Sequence, residues 1–172
     1  MKPIGDFESE RKTLLDKATN LIRGVSELVV GVERVDDLPE AVRILRGLRE
    51  VCYENLNIIQ HDAMILRAAD WIKSKYYPRR DVEWCWNPRQ TSKKGEADLH
   101  GKVAGKIVVS AEITTSKNAK GGIGKKMTQT LRKLNDVKYP GRRVYFVQTE
   151  DMRRSAEAEV KEEGYEIDVE IL

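Results

Sequence analysis

The chain reads as an α/β protein in which a mixed β-sheet core flanked by helices follows an N-terminal helical region. Apolar residues recur at three- and four-residue steps as far as Tyr76, then alternate at two-residue steps from Asp81 onward. From the helix that ends near Tyr76, the elements run α-β-β-β-α-β-α-β, which mixes a hairpin with crossover connections. The 172 residues, 40% of them hydrophobic, suffice to bury the core of one medium domain, or of a small domain with a helical appendage.

Each element has its own sequence signal. Leu14, Leu15, Ala18, Leu21, Ile22, Val25, Leu28 and Val29 lie on one face of a first helix. Asp37 caps a second, with Glu40 three residues on, and turns Ala41, Val42, Leu45 and Leu48 inward. A third helix spans about Leu56 to Tyr76 and stops before Pro78. We divide the chain here: residues 1–54 form a helical region suited to dimerisation or interaction, and residues 55–172 form the core. Asp81–Trp86 is a strand with Val82, Trp84 and Trp86 on one face, packed in the core. After a polar loop, Glu96–Gly101 and Lys106–Thr115 are two strands of a hairpin joined by the Lys102–Gly105 turn. Ile123, Met127, Leu131 and Leu134 mark a helix. Val144–Gln148 is continuously apolar, as a buried strand is. Met152–Glu163 is a helix ended by Gly164, and Tyr165–Leu172 alternates like an edge strand.

Charge is distributed unevenly. Residues 1–86 carry 14 basic and 15 acidic side chains (net −1), residues 87–143 carry 14 and 4 (net +10), and residues 144–172 carry 3 and 9 (net −6), which together make the overall +3. A basic block of this density fits a polyanionic partner. A lysine-rich solvated surface is the alternative. No apolar run approaches the roughly 18–20 residues of a membrane span. The N-terminus lacks the apolar stretch of a signal peptide, so a cytoplasmic protein is expected. Cys52 and Cys85 stand alone beside two histidines, which excludes a disulfide framework and a Cys/His zinc site.

The acids inside the basic block carry the chemistry. Asp98 lies on the first hairpin strand. Glu112 lies in the otherwise apolar second strand, on the same face as Val108, Ser110 and Thr114. The hairpin brings the two carboxylates together, where they repel unless a cation sits between them. Hard oxygen ligands suit Mg²⁺ or Mn²⁺, with water and substrate phosphate completing the shell. The other reading is that Glu112 pairs with a nearby lysine and Asp98 caps a turn.

Gly95-Glu96-Ala97-Asp98-Leu99-His100-Gly101, followed by Ala111-Glu112-Ile113-Thr114, resembles the catalytic hairpin of the PD-(D/E)XK nucleases. This is the restriction-endonuclease-like superfamily, which includes type II restriction enzymes and archaeal Holliday junction resolvases. The resemblance covers about residues 55–172. It implies a metal-dependent DNA endonuclease that hydrolyses phosphodiester bonds, acts as a homodimer in the cytoplasm, and does not exclude RNA. By position, Asp98 and Glu112 match the metal ligands. Glu54 or Asp62 on the preceding helix, and Glu96 beside Asp98, are candidate helpers. Thr114 stands where the family has its lysine, so a displaced lysine must supply the charge. Lys126 and Lys125 are the first candidates, with Lys106 and Lys117 behind them. Arg89, Gln90, Lys93 and Lys94 in the preceding loop, with Lys117 and Lys125, are expected to contact nucleic acid. Retained binding without cleavage is the alternative. His100 shares the Asp98 face and is expected to be an exposed strand-end residue. The glycines of Lys120–Lys126 do not match a P-loop, but they let a helix N-terminus approach a phosphate.

Overall fold

The structure, a computed structural model, describes residues 1–32, 34, 37–88, 96–136 and 141–172, apart from the side chain of Glu54. It is an α/β fold. Six strands form one sheet in the order β1-β2-β3-β4-β5-β6. They are β1 (Lys2–Pro3), β2 (Glu83–Trp86), β3 (Leu99–Val103), β4 (Lys106–Ile113), β5 (Arg142–Val147) and β6 (Asp168–Ile171). The first four strands pair antiparallel, and β4-β5-β6 pair parallel through helical crossovers. The short β1, unanticipated, covers the edge of β2.

Four helices surround the sheet: α1 (Phe7–Val29), α2 (Leu38–Tyr76), α3 (Gly122–Asn135) and α4 (Glu150–Glu163). Asp6, Asp37 and Thr149 cap α1, α2 and α4 by accepting backbone N–H bonds. Gly164 ends α4 in the left-handed conformation, at φ 68°. Where two helices were expected over residues 37–76, α2 is a single helix of 39 residues. The division at 54/55 therefore falls inside an unbroken helix. The apparent break is a change of partner. The first half of α2 packs on α1, while Ile65, Ala68, Ala69 and Ile72 pack on the sheet.

Two cores sandwich the sheet. Val82, Trp84, Trp86, Leu99, Val109, Ala111 and Phe146 face α2, with both tryptophans in the core as expected. Tyr145, Val147 and Val169 face Met127, Leu131 and Leu134 of α3 and Met152 and Ala156 of α4. The alternation expected along β4 is borne out: Val109, Ala111 and Ile113 join the α2 side, leaving Ser110 and Glu112 on the α3 side.

Candidate active site

Strand register assembles the acidic pair. Leu99 of β3 faces Ala111 of β4, so Asp98, one residue before β3, comes opposite Glu112. Asp98 is 6% exposed, and its Oδ2 accepts the backbone N–H of Ile113 at 3.0 Å. Glu112 is also 6% exposed. Both line a cleft of about 250 Å³ at the end of the sheet, walled on one side by α3.

From α3 come Lys126, Thr130 and Lys133, at four- and three-residue steps along the flank of the buried Met127, Leu131 and Leu134 stripe. Lys133 makes the closest approach, with Nζ 2.6 Å from Glu112 Oε1. Among the described lysines, the one that meets the acidic pair is thus Lys133, seven residues beyond Lys126. Lys126 lines the cleft as expected, but Lys125 is exposed and does not. Lys106 begins β4, at the end of that strand away from Glu112, about 20 Å distant at ~3.3 Å per residue. Lys117 is exposed, and its carbonyl accepts the Thr149 hydroxyl.

α2 contributes a residue that the sequence did not flag. His61 is buried at 3% exposure, with Nε2 3.3 Å from Asp98 Oδ2 and Nδ1 3.7 Å from Asp62 Oδ1. Burial pulls its pKa down, but the bonds to Asp62 and Asp98 outweigh burial and raise it to about 9. Asp62, a candidate helper, is not on the cleft wall and meets the site through its contact with His61. Asp98 is likewise opposed by burial, yet His61 and the Ile113 N–H hold its carboxyl below the usual range. Glu112 behaves oppositely. Burial first, then the charge of Asp98, push it up to about 8 despite Lys133.

The other expected residues fall as follows. Thr114 lines the cleft, where its hydroxyl accepts the Ser116 N–H at 3.3 Å and bonds the Tyr145 phenol. Burial pushes that phenol up to about 12. Glu96 pairs with the Met1 amino group at 3.4 Å, away from the cleft. His100 is buried, not exposed. Its Nδ1 is 2.8 Å from Ser110 Oγ, and burial lowers its pKa to about 4. Arg89, Gln90, Lys93 and Lys94 lie outside the described residues, as does the Glu54 side chain.

The donor set fits a hard divalent cation. Two carboxylates converge in a polar cleft, and Glu112 favours its proton at neutral pH, the mark of a site short of positive charge. Among the described residues no group of three or more His, Cys, Asp or Glu side chains is placed to hold a metal ion. The protein would therefore offer two ligands and leave the remaining positions to water and phosphate oxygens, as Mg²⁺ accepts. The pairing of Glu112 with a lysine, the other reading of the sequence, is present too, so metal and Lys133 compete for one carboxylate. No described helix is long and apolar enough to cross a membrane. No family model, curated protein or solved structure matches the chain.

Proposed function

We propose that this protein is a Mg²⁺- or Mn²⁺-dependent DNA endonuclease that hydrolyses phosphodiester bonds, of the PD-(D/E)XK type, working in the cytoplasm. One observation carries the reading: Asp98 and Glu112 face each other in a cleft with Lys133 Nζ 2.6 Å from Glu112, on the wall of a segment of net charge +10. That arrangement combines two hard anionic ligands with a fixed ammonium beside them, which is what phosphoryl chemistry uses.

When bound, the ion would polarise a phosphoryl oxygen and lower the pKa of an attacking water. Asp98 and Glu112 would hold it. His61 donates to Asp98 Oδ2 and fixes the orientation of that carboxylate. Lys133, whose Nζ is 2.6 Å from Glu112 Oε1, would present its charge where negative charge gathers on the scissile phosphate. Lys126 and the N-terminus of α3 lie at the same wall and seat a neighbouring backbone phosphate.

The test is cleavage of supercoiled plasmid, linear duplex, four-way junction and single-stranded DNA and RNA, in Mg²⁺, Mn²⁺ or EDTA, by the wild type and Glu112→Ala. Metal-dependent cutting that the variant loses is the expected result. A second reading, a binding module that no longer cuts, draws on the Lys133–Glu112 ion pair, which puts a fixed cation where a metal would sit. It would be recognised by binding that weakens by 10²-fold or more between about 50 and 200 mM salt, with no cutting under any metal.

A further inference from the structure

The α1–α2 hairpin has an inside and a side left bare. Inside, the helices run antiparallel and close. A Cβ on Gly24 would sit 3.3 Å from Val51, and one on Gly47 would sit 3.2 Å from Leu28. A second apolar stripe runs outside this contact. On α1 it is Leu15 and Ile22, seven residues apart and 67% and 65% exposed. On α2 it is Leu38, Leu45, Tyr53 and Leu56, exposed by 76%, 64%, 66% and 54%. At 3.6 residues per turn, each stripe lies about a third of a turn clockwise from its own helix's inward face. Because the helices are antiparallel, the two stripes emerge on the same side and form one surface.

We infer that a second copy of this chain covers that surface, so that two hairpins close into a four-helix bundle. The six side chains expose roughly 800 Å² of apolar-rich area, which matches what a stable dimer buries on each side and exceeds the patch an ordinary monomer shows. Leu15 and Ile22 on α1, and Leu38 and Leu45 on α2, are seven residues apart, the spacing by which helices pack lengthwise on further helices, and Tyr53 and Leu56 carry the α2 stripe on, eight and eleven residues beyond Leu45. Charge selects against other occupants. Residues 1–60 hold 9 basic and 11 acidic side chains, net −2, which suits neither an anionic lipid surface nor nucleic acid. The stripe itself carries little charge. Arg49, its cation, lies over the Tyr53 ring with 5.8 Å to the centroid. An apolar surface without strong charge of one sign is complementary to its own two-fold copy.

The inference uses no residue of the cleft, so it stands or falls apart from the nuclease reading. Sedimentation velocity of the full chain, from about 1 to about 100 µM, a range that resolves micromolar self-association, tests it. The wild type is expected at twice 19.7 kDa. Ile22→Glu combined with Leu45→Glu, at positions that already face solvent, is expected at 19.7 kDa with unchanged far-UV circular dichroism. If that pair disturbs the helices, Tyr53→Ser with Leu56→Ser is read instead, expected to weaken the dimer by 10-fold or more. A wild type that stays monomeric throughout overturns the inference and leaves the face to a different protein. Folded stripe variants that dimerise like the wild type overturn it as well, because the interface then lies elsewhere.

Discussion

A carboxyl that keeps its proton at neutral pH is a poor ligand until something compensates its charge, and at Glu112 that something is Lys133 or a metal ion. The two partners are not equivalent. Lys133 is 30% exposed at its side chain and tethered to the rim of the cleft, so it can leave Glu112 without leaving the site. If it then stabilises charge on the phosphate, Lys133→Ala should lower the cleavage rate by about 10²–10³-fold at saturating metal. DNA affinity should change by less than about 3-fold, one phosphate contact's worth, and Lys133→Arg should recover part of the rate. Single-turnover cleavage beside filter binding separates the two effects, and equal losses in rate and binding would make Lys133 a simple anchor. The acids of this site were legible in the sequence because a carboxylate in the apolar run Lys106–Ile113 has few structural explanations. Lys133 was not, although it repeats the position of Lys126 seven residues on. Which lysine of a helix reaches a sheet depends on how far the helix slides along it, and no spacing within the helix records that. His61 was hidden for a similar reason: one histidine on a buried helix face is unremarkable until the fold sets Asp98 against it.

Among the elements, the β3–β4 hairpin matters most, because its register sets Asp98 against Glu112. Its turn is Ala104-Gly105, with φ of 49° and 74°, the two positive values of a type I′ turn. Gly105 adopts this freely, whereas Ala104 pays for its Cβ in the left-handed region. Ala104→Asn should therefore stabilise the protein by about 0.5–1 kcal/mol, since asparagine tolerates that region far better. Chemical denaturation would show it as a higher midpoint at unchanged slope, and an unchanged midpoint would mean the turn relaxes at no cost. The element order from α2 to β6 could be read directly, because each strand is short, apolar on the expected face and bounded by polar residues. What misled was length. Asp98 precedes β3 although strand patterning begins at Glu96, since the Ile113 N–H that would continue the ladder is taken by the Asp98 side chain. In the same way, α2 looked like two helices because its apolar face rotates where α1 gives way to the sheet.

For the molecule as a whole, charge and pH meet at the same cleft. Of the nine acids of residues 144–172, five are in ion pairs among the described residues: Asp151 with Arg154 and both Glu150 and Glu157 with Arg153 inside the segment, and Asp168 with Arg142 and Glu170 with Lys75 outside it. Lys120, Lys125 and Lys126 make no ion pair among the described residues, so the positive field of the middle segment stays concentrated around α3. Inside that field, two buried groups titrate in the same direction. Glu112, raised from 4.5 to about 8, contributes stability that is complete below 4.5 and is lost as pH climbs through 8. His61, raised from 6.5 to about 9, contributes stability that is complete below 6.5 and is lost through 9. His100 works on the acid side, since a histidine held down to about 4 loses its contribution as pH falls from 6.5 to 4. The metal-free protein should therefore melt at progressively lower temperature from pH 6.5 to 9, at about 2–4 °C for each kcal/mol lost in a domain this size. Glu112→Gln, which cannot ionise, should flatten part of that slope. Mg²⁺ should flatten it too, by replacing the Glu112 proton with a cation, and its affinity should accordingly rise with pH up to about 8. Scanning calorimetry across this range, with and without Mg²⁺, tests both statements. A melting temperature that falls equally with and without the ion would mean that Glu112 does not bind metal and is held by Lys133 alone.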